Sequence, residues 1–292
     1  MHFITPVTVT PAMLVSSSLT ESEHPAWNAA TTYAVNDLVI YSQSIWTRLT
    51  AGVTAAAPTA DPTNWLRIGP TNRWAMFDQA TGTASVAAST INFKIKPGMV
   101  RALALLDLNA NSVTVTMRNG ATVVYTRTVS LNTGYGVYDW YTYFFAPIVL
   151  KRTLVLDDLP PYSDGEIEVT VNGDASTQLG TVVVGGLFEI GQTEYGMQLG
   201  MLDYSKKSTD DFGATTVVER AYAKQMTVPV VVRTGDVDEV ARQLQIIRAK
   251  PVVWIGSTKF DQSVIYGFFK NWSVDIVYDQ IVNCTLTIEG LT

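Results

Sequence analysis

Cysteine is nearly absent from this sequence. Cys284 is the only one in 292 residues, so no internal disulfide can form. In the alternating run Cys284-Thr285-Leu286-Thr287 it is expected to pack as a small buried hydrophobe. Histidine is almost as scarce. His2 and His24 both fall in the first 24 residues, which leaves a histidine triad or a zinc set without its parts. Charged residues make up only 16 %, and the net charge of −6 comes with no Lys/Arg run longer than a pair such as Lys206-Lys207. That balance argues against nucleic-acid binding, which needs cations to neutralise phosphates. No glycine-rich phosphate loop follows a strand pattern. The apolar runs stop well short of the roughly 20 residues that span a bilayer. No cofactor, metal or membrane insertion is therefore expected.

Other signals are missing too. The opening Met1-His2-Phe3-Ile4-Thr5-Pro6 has neither the charged start nor the continuous apolar core of a secretory signal, so cytoplasmic synthesis is expected. The triplets Asn271-Trp272-Ser273 and Asn283-Cys284-Thr285 lie inside strand patterns and read as chance sequons. Glycoside hydrolysis needs only two carboxylates at a set separation. Adjacent pairs such as Asp157-Asp158 and Asp210-Asp211 occur, but neighbours on a strand point to opposite faces. Both pairs, like Asp174, sit among turn residues. No catalytic constellation emerges, and the chain is not expected to be an enzyme.

What is present is apolar and β-forming. Apolar residues reach 47 %, enough for a sizeable core, and Val, Thr, Tyr and Trp dominate long stretches. The expected fold is mainly β, in four segments. Residues 1–24 read as an extended arm, with Pro6 and Pro11, that docks on its own body or on a neighbour. Residues 25–70 form a small β module cored by aromatics, the efficient filling for so short a unit. Residues 71–204 carry strands with clear turns, among them Val113–Met117 and Thr122–Tyr125 around Asn119-Gly120, and Ile167–Val171 turned by Asn172-Gly173-Asp174. Such spacing without helical pattern predicts an antiparallel β-sandwich or jelly roll.

Residues 205–292 differ from the rest. The strands Gln225–Arg233 and Val252–Gly256 flank a helix expected over Val237–Ala249, where Val237, Val240, Ala241, Leu244 and Ile247 share a face. Asp236 with Glu239 reads as its capping box, and Pro251 closes it. Three further strands follow, giving an α+β module with one helix packed on a sheet.

The aromatic block is the most specific pattern. Trp27, Tyr33, Asn36-Asp37, Val39, Tyr41, Trp46, Pro58, Pro62 and Trp65 follow one another in a spacing that resembles the short chitin-binding-like modules of carbohydrate-binding families 5 and 12. Asn36 stands where those modules usually have glycine, and asparagine also tolerates positive φ. The resemblance implies sugar stacking on exposed rings. Trp27 and Tyr41 are expected in the core, which leaves Tyr33, Trp46 and Trp65 as candidate glycan-binding residues.

A wider resemblance sets the context. The opening Phe3–Leu14, the module, and the string Ile68-Gly69-Pro70-Thr71-Asn72-Arg73-Trp74-Ala75-Met76-Phe77-Asp78 look like tail proteins of long-tailed bacteriophages. The last block, ending Thr287-Ile288-Glu289-Gly290-Leu291, is similar to the sheet-plus-helix modules of tail-tube and distal-tail proteins. This implies a virion component, made in the bacterial cytoplasm and built into the tail tip or baseplate. Its implied partners are other tail proteins, further copies of itself in a ring or cluster, and host surface polysaccharide. Val228–Val232 and the helix are the expected contact elements. Two further readings stand beside the structural one: a polysaccharide-binding adhesin, and a tail-borne glycan depolymerase.

Overall fold

The computed structural model describes residues 1–53, 55–134, 138–145, 149–210, 212–276 and 278–291. Strands dominate, and the ladders between them are antiparallel. The mainly β class expected from composition is the class observed.

The largest sheet has eleven strands, and its keystone is the strand His2–Pro6. Along one edge, residues 2–6 pair with Gly185–Glu189; along the other, residues 2–4 pair with Val253–Ile255. Beyond the first edge lie Thr177–Glu189, Ala102–Asn109 and Thr153–Leu156. Beyond the second lie Val252–Ile255, Val264–Asp275, Ile281–Gly290 and Tyr222–Arg233. The segment read as an arm thus supplies the strand that joins two half-sheets. Gly185 permits the join, because a Cβ there would overlap the carbonyl oxygen of Thr5.

Side-chain alternation assigns the cores. Leu103, Leu105, Val182 and Val184 point to one face of the sheet, and Phe3, Phe188 and Trp254 continue that face across the join. Over the first half this face is covered by a five-stranded sheet that contributes Ile91, Phe93, Ile95, Val113, Val115, Met117, Ile167, Val169 and Val171. Over the second half it is covered by the helix Val237–Ile247, through Val240, Leu244 and Ile247. The opposite face holds a smaller core of Ile4, Ala102, Ala104, Val183, Val253, Ile255, Val264 and Tyr266.

Local detail departs from expectation in a few places. The hairpin at 112–130 turns on Gly120-Ala121, with Gly120 at φ 58° in the first turn position, one residue later than Asn119-Gly120. Asp236 makes no side-chain cap. A 3-10 turn, Thr234–Asp236, leads into the helix, so the chain at Asp236 is already helical and its carboxylate cannot fold back. Glu239 instead binds Arg242 and Gln243 of its own helix at 2.7 and 2.8 Å. A six-residue helix at Trp140–Phe145 has no counterpart in the periodicity. Cys284 is buried in the helix-covered core, and burial pushes its thiol pKa up. Among the described residues no helix is long and apolar enough to cross a membrane.

Tyr266 ties the C-terminal half to the sandwich. Its hydroxyl donates to the Gln79 carbonyl at 3.1 Å, and burial, with Asp78 adding, pushes its pKa up to about 12. An unfolded phenol ionises near pH 10. The stability that neutral Tyr266 contributes is therefore complete below about pH 10 and is lost as pH rises from 10 through 12. Urea midpoints at pH 8 and pH 11 should fall further for the native chain than for Tyr266→Phe. Equal falls would remove Tyr266 as the cause.

Candidate functional site

The aromatic module is a three-stranded sheet of Leu38–Tyr41, Ser44–Arg48 and Trp65–Pro70. Ser42 and Gln43, both at positive φ, make the tight turn between the first two strands. Asn36 has φ 71°, the conformation for which glycine is the usual residue. Asp37 accepts the Ala34 N–H through its side chain at 2.7 Å and closes the same turn.

The core of this module is Tyr33, Val39 and Trp65, with Trp27 and Trp46 packed against it. Trp65 is 1 % exposed and Tyr33 6 %, so neither presents a ring face to solvent. The exposure expected of these two residues is not found, and the reason is volume. A unit this small has no aliphatic cluster to spare, and its largest rings are its core. Tyr33 meets Trp65 edge-on at 5.1 Å, and its hydroxyl bridges the backbone N–H and C=O of Asn28. Arg48, 2 % exposed, lies with its guanidinium 4.9 Å from the Trp65 ring centre and donates to the carbonyls of Thr50 and Gly52. Trp27 and Tyr41, expected inside, are half-buried and pack edge-to-face at 5.3 Å.

Of the three candidates, Trp46 lines a cavity. A groove of about 450 Å3 runs along the seam between the module and the sandwich. Trp46 and Trp74 line it together with Arg67, Asp78, Ser42 and Gln43. Each ring is held. Trp46 Nε1 donates to the Tyr41 carbonyl at 3.0 Å, and Trp74 packs on Phe77 at 5.7 Å. The polar groups are positioned as well: Arg67 Nε donates to Ser44 Oγ at 3.0 Å, and Asp78 accepts from Ala80 N and Thr83 Oγ1. The seam is pinned by Thr71, whose N–H donates to Gln43 O at 3.0 Å and whose hydroxyl donates to Glu21 at 2.8 Å. Two ring faces with rim donors and acceptors form a surface suited to a ring-shaped polar ligand. The spacing within the module could not reveal Trp74, which lies beyond it.

The carboxylates named from sequence are dispersed. Asp158 accepts from Tyr125 at 2.7 Å and pairs with Arg127 at 3.3 Å. Asp210 caps its own turn through Phe212 N and Ala214 N, while Asp211 lies outside the described residues. Asp174 accepts from Asn111 at 3.0 Å. A separate groove of about 520 Å3 gathers Glu189, Asp236 and Glu239 with Arg233. There Glu239 is held by Arg242 and Gln243, and Glu189 lies 3.8 Å from His2 Nε2. Among the described residues no three of His, Cys, Asp and Glu converge as a metal site.

Burial separates the two tryptophans of the module energetically. Trp65→Ala should cost about 3–5 kcal/mol, as for large core truncations, while Trp46→Ala should stay within about 1 kcal/mol. Chemical denaturation of both variants, followed by fluorescence, checks the difference; equal losses would place Trp46 in the core as well. In comparisons with known proteins, no protein-family model matches this chain, and no curated protein matches it.

Proposed function

We propose that this chain is a structural subunit of a bacteriophage tail tip or baseplate, which assembles with copies of itself, docks other tail proteins and presents a glycan-contacting groove. The seam carries this reading. The string Ile68–Asp78, the most distinctive part of the resemblance to long-tailed phage tail proteins, is where the module is fastened to the body, and it contributes Trp74 and Asp78 to the groove. A tail component that touches a cell must hold its contact surface at a fixed angle on a rigid support. Residues fastening the module also line the groove, so the two requirements meet in one place. Antibody labelling of purified particles should place the chain at the tail end, and the pure protein should sediment as an oligomer. A strictly monomeric chain absent from virions would sink the proposal.

The groove also favours a second reading, in which the chain is chiefly a polysaccharide adhesin. On an array of bacterial surface glycans, Trp46→Ala and Trp74→Ala should each weaken binding at least about tenfold, the equivalent of ~1.4 kcal/mol. Binding that survives both substitutions would move the glycan contact away from this groove.

A further inference from the structure

The elements expected to meet neighbouring copies are taken up within the chain. Val228, Val230 and Val232 are covered by the helix Val237–Ile247, whose apolar face is spent on them. A different element stands unpartnered. Between the strands Thr122–Ser130 and Thr153–Leu156 the short helix Trp140–Phe145 projects its rings into solvent, and the stem of this connection is closed by the Asn132–Leu150 bridge and the Lys151 N to Leu131 O hydrogen bond. At its tip Asp139 caps the short helix Trp140–Phe145 by accepting the Thr142 N–H at 2.7 Å. Tyr138, Trp140, Tyr141, Tyr143, Phe144 and Phe145 are 64–84 % exposed. A helix apolar on all sides is normally a buried one. At about 150–250 Å2 per aromatic side chain, six rings this exposed offer roughly 650–1,100 Å2, a range that includes the ~800 Å2 each partner contributes to a standard interface.

The chain also carries a cavity suited to receive such a tip. This cavity, about 670 Å3, has Phe268, Phe269 and Leu291 in its wall, with Arg220 and Lys270 beside them. Its one carboxylate, Glu289, is engaged by Tyr204 at 2.7 Å and Lys270 at 3.3 Å. The projection has the opposite charge: from Asn132 to Leu150 there is no lysine or arginine, and Asp139 is the only charged residue. That composition is wrong for an anionic lipid surface, which selects basic residues. The exposure of all six rings means the tip is not seated in its own socket. At the stem, Lys151 pairs with Asp261 at 3.0 Å and Arg152 with Asp107 at 2.8 Å, which fixes where the projection leaves the body.

We infer that the aromatic tip at 138–145 of one copy seats in the Phe268–Phe269–Arg220 socket of the next, a head-to-tail contact that leaves a pair of copies with one free tip and one free socket between them. This rests on the proposal that the chain self-assembles, and it specifies the surface. Two different patches make a heterologous interface, which closes into a ring when the rotation between copies allows and extends as a filament otherwise.

Complementation tests it. A tip variant carrying Trp140→Ser, Phe144→Ser and Phe145→Ser, and a socket variant carrying Arg220→Glu and Phe268→Ala, are compared with the native chain by sedimentation. Circular dichroism and melting check folding, and Arg220→Glu alone, an exposed change, serves if the double socket variant unfolds. The native chain should form oligomers. Each variant should fall to the mass of one chain, 31.9 kDa. An equimolar mixture should stop at dimers, because only one intact tip and one intact socket can meet. A tip variant that assembles like the native chain overturns the inference while self-assembly stands. Two variants that stay monomeric when mixed overturn the socket. A native monomer overturns both the inference and the self-assembly beneath it, and flotation of that monomer on neutral liposomes would reassign the tip to lipid.

Discussion

A strand inside a sheet must satisfy hydrogen-bonding groups along both edges, and His2–Pro6 does so with two segments far along the chain, Gly185–Glu189 and Val253–Ile255. This double pairing is the constraint on which the rest of the architecture depends. It makes one sheet of two, so the sandwich core and the helix-covered core lie side by side on the same face. It carries Phe3 between Phe188 and Trp254, with ring centres 5.1 and 5.3 Å away. Burying a side chain of that size contributes on the order of 1.5–3 kcal/mol. Ile4, on the other face, belongs to the core formed by residues from both half-sheets. Without this strand each half-sheet would present an open edge, the feature β proteins most need to hide.

The fold class was legible because it rests on local pattern. Alternation in Ile167–Val171 and Val113–Met117 has a direct structural meaning, and so does the helical face Val240-Leu244-Ile247. Pairing across the chain is another matter. Nothing in Phe3-Ile4-Thr5 names Phe188 or Trp254 as its neighbours, because the partners are chosen by the shape of the assembled sheet. Asp236 shows the same limit on a smaller scale. The capping signal was present in the residues, and a preceding 3-10 turn overrode it.

The aromatics divide along similar lines. Their spacing identified a module, yet which rings face water depends on how a small volume is filled. Tyr33 and Trp65 are inside because Arg48 and the Asn28 backbone complete their surroundings. Trp46 has an open side because the module meets the body there. The run from Tyr138 to Phe145 is the reverse case, a composition that reads as core and is found outside it. The molecule thus keeps some aromatics to hold itself together and leaves others open to solvent. Ring identity alone does not distinguish the two.

The position of the first strand has a consequence in time. At ribosomal rates of about 5–20 residues per second, roughly ten to forty seconds separate the emergence of Phe3 from that of Phe188, and Trp254 is later still. Through that interval the chain's earliest β segment has no native partner, and closing so large a loop slows its capture. The five-stranded sheet can form meanwhile from residues 14–172. Once Thr177–Glu189 completes the sandwich, the first strand is paired along one edge only, and newborn chains would carry that open edge, able to take up a strand from a neighbour, until Val253–Ile255 arrives.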